Sequence, residues 1–534
     1  MNKKIGFMVD DENFDYFNYK LVKWSVDNKN ISEVCFIKFK DDYKKKAYRF
    51  KWQNILRVLT FKIIYAFEKM FIPKTYKKYF KNYKLNSYKI SRITISPILK
   101  KNIFSFYFNE SDVIKLKKKK LDIILRLGSG IIRGEILNVS KNGIISLHHG
   151  DPASYRGGPP GFWEVLNKEP NIYFMIQKLT DELDNGQIIH RGSIQTKNYF
   201  LLNQILLKEK SIFFIKKAIK TILKIEKNNL IKNCKNYIYF KKFYTFPEMK
   251  YLLKYIFQVY IFHFFKKFIK YKDNYEIFYQ NKNWNKLSIN NSKKLNSASI
   301  VADPFFFKKN NVNYLFAEEI DNNNFGSIVV FDLNKNEKIG NLNFNEKEKF
   351  HKSFPYIFEE NKKIYMVPEC HKLKQVRLYE SILFPLEWKL SEILIDNVEA
   401  VDSFLFKKNR KFWLLTNICS AGLKDFSSEL HIFSSKKLIK GKWTKHKNNP
   451  VINDGVIGRS GGVIFDKQKI YRISQTHNYL NYGDSLRINL IKKINDNEYI
   501  EEGYFDNDNQ INKNNLYAHH LYCKNNFTVF DKKG

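Results

Sequence analysis

The first part of the chain alternates short apolar runs with stretches in which apolar residues recur at helical spacing. Ile5 to Val9 and Ser32 to Phe39 are predicted strands, and Tyr16 to Val26 between them is a predicted helix. A strand, a helix and a strand in this order begin a parallel α/β sheet. Further apolar runs at Leu121 to Leu127 and Gly143 to Leu147 predict more buried strands.

From residue 276 the pattern changes to short strands separated by polar turns. Five related segments begin near residues 303, 353, 402, 460 and 519, and each pairs an apolar run with a second run after a turn. A spacing of roughly 50 residues is typical of four-stranded propeller blades. The pattern therefore predicts a five-bladed β-propeller.

Other segments have helical periodicity. Residues 42–90 are basic and aromatic, with a break at Pro73, and two interpretations stay open: helices packed on the sheet, or a helix on a membrane surface. Met249 to Tyr271 lies in a segment that connects the two domains. For this predicted helix too, packing on a domain and lying on a membrane surface both stay open. Ile131 to Val139 and Leu201 to Glu226 are also predicted helices. The expected domains are residues 1–226, a connector 227–275 and a propeller 276–534.

Polar residues collect after the strand that ends at Leu147. His148, His149 and Asp151 follow directly, and the chain turns acidic after the next strand, at Asp181 and Asp184. A Gly/Pro-rich loop and a short helix lie between these two groups. Catalytic residues are common where a buried strand opens into a polar loop, so this stretch is the candidate site.

This stretch resembles the catalytic core of the N10-formyltetrahydrofolate-dependent formyltransferases, which include methionyl-tRNA formyltransferase, sugar N-formyltransferases and the glycinamide ribonucleotide enzyme. That family carries Asn-x-His, an Arg-Gly loop and a Leu-Asp-x-Gly turn. The matching residues here are Ser146-Leu147-His148, Arg156-Gly157 and Leu183-Asp184-Asn185-Gly186. Ser146 departs from the family's Asn.

The resemblance implies that His148, Asp184 and Ser146 are catalytic. Formyl transfer to an amine passes through a tetrahedral oxyanion, so it needs a donor to that oxygen and a base for the amine proton. An imidazole oriented by a carboxylate meets both needs. The alternative is that His148 and Asp184 are a buried hydrogen-bonded pair.

The resemblance also implies two binding sets. The N10-formyltetrahydrofolate cosubstrate is expected beside Leu127, Gly128, Ser129, Gly130, Ile131 and Asp181. The acceptor is expected beside His149, Asp151, Tyr155, Arg156 and Gly157. No metal is predicted, because no further His or Cys stands at ligand spacing from His149 and Asp151.

The repeats resemble the propellers of arabinanase-like and invertase-like glycosidases and the propeller domain of plant glucosamine inositolphosphorylceramide transferase. That resemblance implies acidic residues around a central channel. The predicted sugar site is Asp303, Glu369, Asp402, Arg459 and Arg472, with Glu318, Glu319 and Gln475 as rim residues. Such carboxylates permit glycoside hydrolysis, plain sugar binding, or capping of strand ends.

Composition limits the alternatives. The chain has 534 residues, too many for one ordinary core, and a net charge of +40. Lys is spread over every segment, so specific nucleic-acid binding is not favoured. Five scattered cysteines favour a reducing compartment. No leader peptide and no apolar window of about 18 residues is seen, so we expect a cytoplasmic protein, with peripheral contact at the inner face of an anionic membrane.

Together these features predict a multidomain protein, with an α/β Rossmann-like formyltransferase domain followed by an all-β propeller. The predicted activity moves a formyl group to the amine of a nucleotide- or lipid-linked amino sugar in surface glycan biosynthesis. The alternative is a glycoside-active or glycan-binding propeller with a degenerate formyltransferase domain.

Overall fold

The computed structural model divides into two units, Met1–Ile269 and Lys270–Gly534. The residues that it describes are 2–40, 55–100, 105–128, 130–150, 155–181, 186–225, 244–261, 275–346, 349–479, 481–504 and 518–533.

The first unit is built on one seven-stranded sheet and one three-stranded sheet. Its strands are β1 (Lys3–Val9), β2 (Ile31–Phe39), β3 (Ile90–Ile95), β4 (Pro97–Lys100), β5 (Ser105–Phe108), β6 (Ile123–Arg126), β7 (Ile131–Ile132), β8 (Ile144–His149), β9 (Asn171–Lys178) and β10 (Gln187–Gln195). The large sheet has the order β10-β9-β8-β6-β1-β2-β3, and β4-β5-β7 form the small sheet.

The five strands from β8 to β3 run parallel. β9 and β10 extend the large sheet in antiparallel orientation. β1 is buried without alternation from Ile5 to Val9. Continuous burial is what a parallel strand shows when both faces of its sheet are covered.

Helices of the first unit pack on the large sheet and on one another. They are α1 (Tyr16–Asp27), α2 (Ile55–Phe71), α3 (Glu110–Lys118), α4 (Phe162–Leu166), α5 (Phe200–Ile222) and α6 (Met249–Ile256), with 3-10 turns at Lys74–Phe80 and Glu135–Asn138 and a π-helical turn at Phe257–Ile261. α1 begins where the side chain of Asp15 accepts from the Asn18 backbone N–H at 2.9 Å. No helix in the described ranges is long and apolar enough to cross a membrane.

One predicted helix needs correction. Ile131 to Val139 is not an α-helix, because Ile131 and Ile132 pair with β5 and Gly134 takes a φ of 84° before the 3-10 turn. The connector helix is described only from Met249 to Ile261, where it is helical, and it packs against α2. The boundary between the two units, at residue 269, lies inside the predicted connector 227–275.

Glu68 of α2 fastens the α6 segment to the first unit. Its carboxylate is fully buried and accepts from Tyr255 Oη at 2.6 Å, Tyr260 Oη at 3.1 Å and the Leu201 backbone N–H at 2.9 Å. Burial raises the pKa of Glu68 from 4.5 to about 7, against the lowering effect of these hydrogen bonds. One carboxyl group thus joins α2, α5 and the α6 segment.

We predict that this junction weakens as pH rises. Between pH 4.5 and about 7 the folded state keeps a proton on Glu68 that the unfolded chain has lost, so the opening free energy falls across this range. The loss should reach about 3 kcal/mol. Amide hydrogen exchange of α2 and α6 at several pH values measures it. Glu68→Gln cannot ionise and should flatten the dependence, and an unchanged slope in this variant would contradict the assignment.

The second unit consists of strands that pair antiparallel, except for a short parallel pairing of Ser460–Asp466 with Leu521–Lys524. They are β11 (Tyr275–Gln280), β12 (Lys293–Lys294), β13 (Ile300–Lys309), β14 (Val312–Ile320), β15 (Gly326–Asp332), β16 (Glu337–Asn341), β17 (Ser353–Glu360), β18 (Lys363–Glu369), β19 (Val376–Leu383), β20 (Glu387–Ile395), β21 (Ala400–Lys408), β22 (Lys411–Ile418), β23 (Glu429–Ser435), β24 (Thr444–Lys445), β25 (Ile452–Asn453), β26 (Ser460–Asp466), β27 (Lys469–Asn478), β28 (Asn481–Ile494), β29 (Tyr499–Gly503), β30 (Leu521–Lys524) and β31 (Phe527–Lys533). Short 3-10 turns stand at Trp284–Lys286, Ile289–Asn291 and His371–Leu373.

These strands form the five predicted blades. Three blades are β13 to β16, β17 to β20, and β21 to β24 with β25 beside β23. The remaining strands form one eight-stranded sheet in the order β12-β11-β31-β30-β26-β27-β28-β29. Its two halves meet in a short parallel pairing of β26 with β30, and we count β26 to β29 as the fourth blade and β30, β31, β11 and β12 as the fifth. The fifth blade joins the first strands of the unit to its last, because β11 pairs with β31 over six residues. The predicted fold class, an α/β domain followed by an all-β propeller, is confirmed.

Candidate functional site

Ser146 and His148 lie at the carboxyl end of β8. Successive residues of a strand face opposite sides of the sheet. Ile144 packs in the cluster that contains Ile132 and Phe106, next to the loop after β6, so Ser146 and His148 share that side by alternation. β8 thus presents the two predicted catalytic residues to the predicted cosubstrate loop. Asp184 lies outside the described residues.

The strand order reverses between β1 and β6, beside this loop. Ligands of open α/β sheets bind in the crevice outside the carboxyl ends of the strands at such a point. Here Arg126 Nη2 lies 3.2 Å from Asp10 Oδ1 and joins the two strand ends. A cavity of about 300 Å³ adjoins this edge. Leu127, Gly128 and Ser146 line it, but Phe17, Leu21 and His149 on the α1 side of the sheet line it as well.

The loop after β6 accepts only small residues at two positions. A Cβ on Gly128 would lie 2.2 Å from Asp10 Oδ1. A Cβ on Gly130, whose φ is 87°, would lie 2.0 Å from the Phe106 ring. Packing therefore fixes the backbone course of this loop, which suits a ligand held through backbone groups. Ser129 lies outside the described residues.

His149 faces the other side of the sheet from His148. Its ring contacts Phe17 of α1, and it lines the 300 Å³ cavity and a second one of about 230 Å³, together with Lys208. Burial, with Lys208 and His148 adding to it, lowers the pKa of His149 to about 3. His149 is therefore a neutral imidazole, and its predicted contact with the acceptor stays a prediction.

The Arg-Gly loop is held by a residue that the sequence did not single out, Tyr244. The Tyr244 backbone N–H donates to Arg156 O at 2.8 Å, and Gly158 N–H donates to Tyr244 O at 3.0 Å. A Cβ on Gly157 would lie 1.9 Å from Tyr244 O, so glycine is required there. Tyr244 follows a stretch without strand or helix periodicity, so no sequence signal pointed to it.

Tyr155 has structural partners on two sides. Its hydroxyl donates to Glu169 Oε1 at 2.7 Å and accepts from Asn167 Nδ2 at 3.0 Å, and its ring stacks on Tyr244 at 5.0 Å. Burial raises the pKa of this phenol. Tyr155 therefore supports the loop, and its predicted contact with the acceptor stays a prediction.

Asp181, predicted beside the cosubstrate, caps the turn after β7. Its carboxylate accepts from the Gly134 backbone N–H at 2.7 Å, and its carbonyl accepts from the Arg133 guanidinium. It therefore holds the turn next to the predicted cosubstrate loop, and its predicted contact with the cosubstrate stays a prediction. Asp151, the remaining predicted acceptor contact, lies outside the described residues.

In the second unit, bulges aim two predicted acidic residues inward. Asp303 and Asp402 stand where β13 and β21 shift register, with φ of 52° and 51°. Few non-glycine residues adopt this left-handed conformation, although aspartate tolerates it. A bulge re-aims a side chain, and both carboxylates are buried.

Asp402 connects three blades. Its backbone N–H donates to Glu369 Oε2 at 3.3 Å, and Arg459 Nε donates to Asp402 Oδ2 at 2.7 Å. Glu369 also bonds His371 Nδ1 at 2.7 Å. Burial raises the pKa of Asp402 to about 6, with Glu369 adding to the shift and Arg459 opposing it. The predicted residues Glu369, Asp402 and Arg459 therefore meet.

Asp303 adjoins two residues that the sequence analysis did not assign to the site. His519 Nδ1 lies 2.8 Å from Asp531 Oδ2, and its Nε2 lies 3.3 Å from Asp303 Oδ1. Burial alone would lower the pKa of His519, but the two carboxylates outweigh it and raise this pKa to about 9. Burial raises the pKa of Asp303, and Glu318 adds to it. His519 stands at the start of the fifth repeat, and this position in the sequence could have identified it as a residue of the cluster.

Asp303, His519 and Asp531 offer ligand atoms within 4.8 Å of one another, close enough to hold a metal ion. The sequence predicts no metal. Each ring nitrogen of His519 already faces a carboxylate oxygen, an arrangement that suits an imidazolium. The single positive charge of His519 is thus shared between two carboxylates.

Three predicted channel residues have structural partners within the unit, and their predicted roles stay predictions. Arg472 is fully buried, with its Nε donating to Glu501 Oε2 at 2.8 Å and its Nη2 donating to Ile457 O at 2.6 Å. Gln475 is buried and donates to Ser460 O at 3.0 Å. Glu319 pairs with Lys338 at 2.8 Å. Glu318, by contrast, interacts with the acidic cluster. It lies 3.2 Å from His351, and its charge raises the pKa of Asp303.

A cavity of this unit lies away from the acidic cluster. A cavity of about 770 Å³ opens at the carboxyl ends of the inner strands, where Lys407, Phe465 and Lys524 line it. Asp303 and Asp402 stand at the amino ends of those strands.

Comparisons with known proteins match each half separately. The family model "Glucosamine inositolphosphorylceramide transferase 1, N-terminal" matches residues 286–524. Glucosamine inositolphosphorylceramide transferase 1 of Oryza sativa subsp. japonica is 32% identical over 209 residues, 38% of this chain and 28% of that protein. Methionyl-tRNA formyltransferase of Clostridium beijerinckii is 32% identical over 92 residues, 17% of this chain and 30% of that protein.

The predicted fusion is confirmed. One region resembles a formyltransferase, and another resembles the plant transferase. The chain spans less than a third of the length of either relative. Among solved structures, a sugar N-formyltransferase from Shewanella sp. FDAARGOS_354 is 12% identical with a TM-score of 0.27, over 46% of this chain and 76% of that one.

We predict that Asp531 stabilises the propeller. It accepts from the backbone N–H groups of His520 at 2.8 Å, His519 at 3.1 Å and Asp303 at 3.0 Å. Asp531→Asn removes one of the two buried carboxylates that face the His519 cation, so the unfolding free energy should fall by about 3 kcal/mol. Urea unfolding measures this loss.

The matched control is Asp496→Asn in the same unit. Asp496 also pairs with a cation, Lys411 at 2.6 Å, but its side chain is 55% exposed. This change should cost less than about 1 kcal/mol. Equal losses in the two variants would contradict a special role for Asp531.

Proposed function

We propose that this protein transfers a formyl group from N10-formyltetrahydrofolate to the amine of an amino sugar. The observation that carries the proposal is the position of Ser146 and His148 on one side of β8, next to a glycine loop and the point of strand reversal. The matching Arg156-Gly157 and Leu183-Asp184-Asn185-Gly186 motifs support it.

The proposed reaction needs one base and two donors. The acceptor amine attacks the formyl carbon, and His148 takes the proton that the amine loses. His148 and the Ser146 hydroxyl stabilise the oxyanion that forms on the formyl oxygen. Asp184 orients the imidazole. The bond to N10 then breaks, the proton passes to that nitrogen, and the sugar amine becomes a formamide.

The residues present suit the folate cosubstrate. The loop from Leu127 to Ile131 has glycine at the two described positions where a Cβ would clash with Asp10 or Phe106, so these contacts hold its main chain close to the strand ends. Backbone N–H and C=O groups recognise a pterin ring well, because each is a fixed donor or acceptor.

We propose an amino-sugar acceptor, either nucleotide-linked or lipid-linked, as used in surface glycan biosynthesis. The support is the second unit, which resembles carbohydrate-handling propellers and holds carboxylates and an arginine in one cluster. A lipid-linked acceptor would bring the protein to the inner face of a membrane.

The first test replaces the two β8 residues. His148→Ala should lower kcat of formyl transfer at least 100-fold, since it removes the base and one donor. Ser146→Ala should cost about 10-fold, while Ser146→Asn, which introduces the family's amide donor, should keep or raise the rate. The assay follows release of tetrahydrofolate with amino-sugar acceptors. Full activity in His148→Ala would contradict the proposal.

A second candidate function belongs to the propeller: glycan binding or glycoside chemistry without formyl transfer. The specific observation that favours it is the pair of bulges that turn the Asp303 and Asp402 carboxylates inward, with Arg459 bonded to one of them. Paired carboxylates serve both glycosidases and sugar-binding sites.

One variant separates the two candidates. Asp303→Asn should weaken binding of the sugar part of the acceptor and raise KM, because it alters a channel carboxylate, but kcat of formyl transfer should stay within about 2-fold. Steady-state kinetics at saturating and limiting acceptor measures both. If Asp303→Asn abolishes all activity while His148→Ala stays fully active, the propeller is the active half.

A further inference from the structure

The apolar outer face of α2 and of the neighbouring 249–261 segment is not covered by the described parts of the first unit. We propose that this surface, here named the α2–α6 face, docks on an anionic lipid bilayer. It comprises Leu56, Leu59, Ile63, Phe67, Met70, Leu253, Phe257 and Ile261. The proposal does not depend on formyl transfer.

α2 has the exposure pattern of a helix on a surface rather than in a core. Of its residues, only Ile64 and Glu68 are buried. Ile63 is 61% exposed and Met70 is 73% exposed. The five apolar residues of its outer stripe are three or four positions apart, so they share one side of the helix. A core helix would bury this stripe instead.

The 249–261 segment repeats this pattern beside α2. Leu253, Phe257 and Ile261 are exposed at intervals of four residues, while Leu252 and Tyr255 are buried. The segments are joined along their length. Arg57 Nη2 donates to Phe246 O at 2.8 Å at one end, and the rings of Phe67 and Tyr260 lie 4.7 Å apart at the other. Two apolar stripes therefore stand on adjacent helices.

The charges around the two stripes are almost entirely positive. The one acidic residue of α2, Glu68, is buried and hydrogen-bonded, while Lys62 and Lys69 are exposed. Lys250 and Lys254 stand on the second helix, and Glu248 at its start pairs with Lys250 at 3.1 Å. Apolar residues flanked by lysines fit the boundary between acyl chains and anionic head groups.

The sequence next to both helices has the same character. Residues 41–54 contain five Lys or Arg, and residues 262–274 contain four Lys. A second copy of the chain is a poorer occupant, because a two-fold interface would bring this cationic surface against itself. An anionic bilayer satisfies the apolar stripes and the cations together.

The test is co-sedimentation of the full chain with vesicles. Wild-type protein should bind phosphatidylcholine vesicles that contain phosphatidylglycerol, and bind pure phosphatidylcholine more weakly. Ile63→Glu/Met70→Glu should lower the partition coefficient about tenfold or more, since it places charge in the apolar stripe. Both positions are exposed, so the variant should keep its thermal unfolding midpoint.

The matched control is Ile98→Glu/Ile114→Glu. Both residues are 45% exposed in the first unit but lie outside the α2–α6 face, and the change in net charge is the same. Its binding should stay within about 2-fold of wild type. Equal losses in both variants, an unaffected Ile63→Glu/Met70→Glu variant, or no vesicle binding by wild type would each overturn the proposal. A wild-type dimer that this variant dissociates, without vesicle binding, would assign the face to a second copy.

Formyl-transfer rates of both variants with a soluble acceptor complete the experiment. Unchanged rates with lost vesicle binding separate the docking surface from the reaction. Absence of formyl transfer in every variant would contradict only the proposed function.

Discussion

The chemistry of the first unit depends on the two-residue period of β8. Because neighbours on a strand face opposite sides of the sheet, Ser146 and His148 share one side while His149 takes the other. A register shift of one residue would exchange the two histidines. The parallel pairing of β8 with β6 and its antiparallel pairing with β9 fix that register on both edges. Strand pairing thus decides which imidazole meets the glycine loop.

In the second unit, buried carboxylates decide how the candidate site is arranged. A buried carboxylate needs donors or a cation, and the donors here come from other blades. Asp531 of the fifth blade binds the backbone of Asp303 in the first, and Asp402 of the third binds Arg459 before the fourth. The same groups that connect the blades therefore form the acidic cluster. A sugar that enters this cluster would meet carboxylates already fixed in orientation.

The sequence predicts features that depend on local pattern. The strands of both units, the five repeats and the formyltransferase-like motif around His148 are local, and the repeat spacing alone indicates five blades. Features that depend on distant contacts were not predictable. Tyr155 is held by Glu169 and Tyr244, and Arg472 is buried beside Glu501, which lies on another strand.

Residues 249–261 illustrate the same limit at the level of domains. Their apolar content was visible in the sequence, but the buried carboxyl group of Glu68, far away in the chain, decides where they pack. These helices each have one buried and one exposed apolar stripe, and the sequence alone does not distinguish the two. Periodicity identifies an apolar side and does not say what covers it.

Calorimetric titration with a stable analogue of N10-formyltetrahydrofolate tests the central claim most directly. Wild-type protein should bind the analogue with a micromolar dissociation constant. Gly130→Val should weaken binding at least 10-fold, because its Cβ forces the loop away from the Phe106 ring. Absence of binding by well-folded wild-type protein would contradict the account and leave the propeller as the functional half.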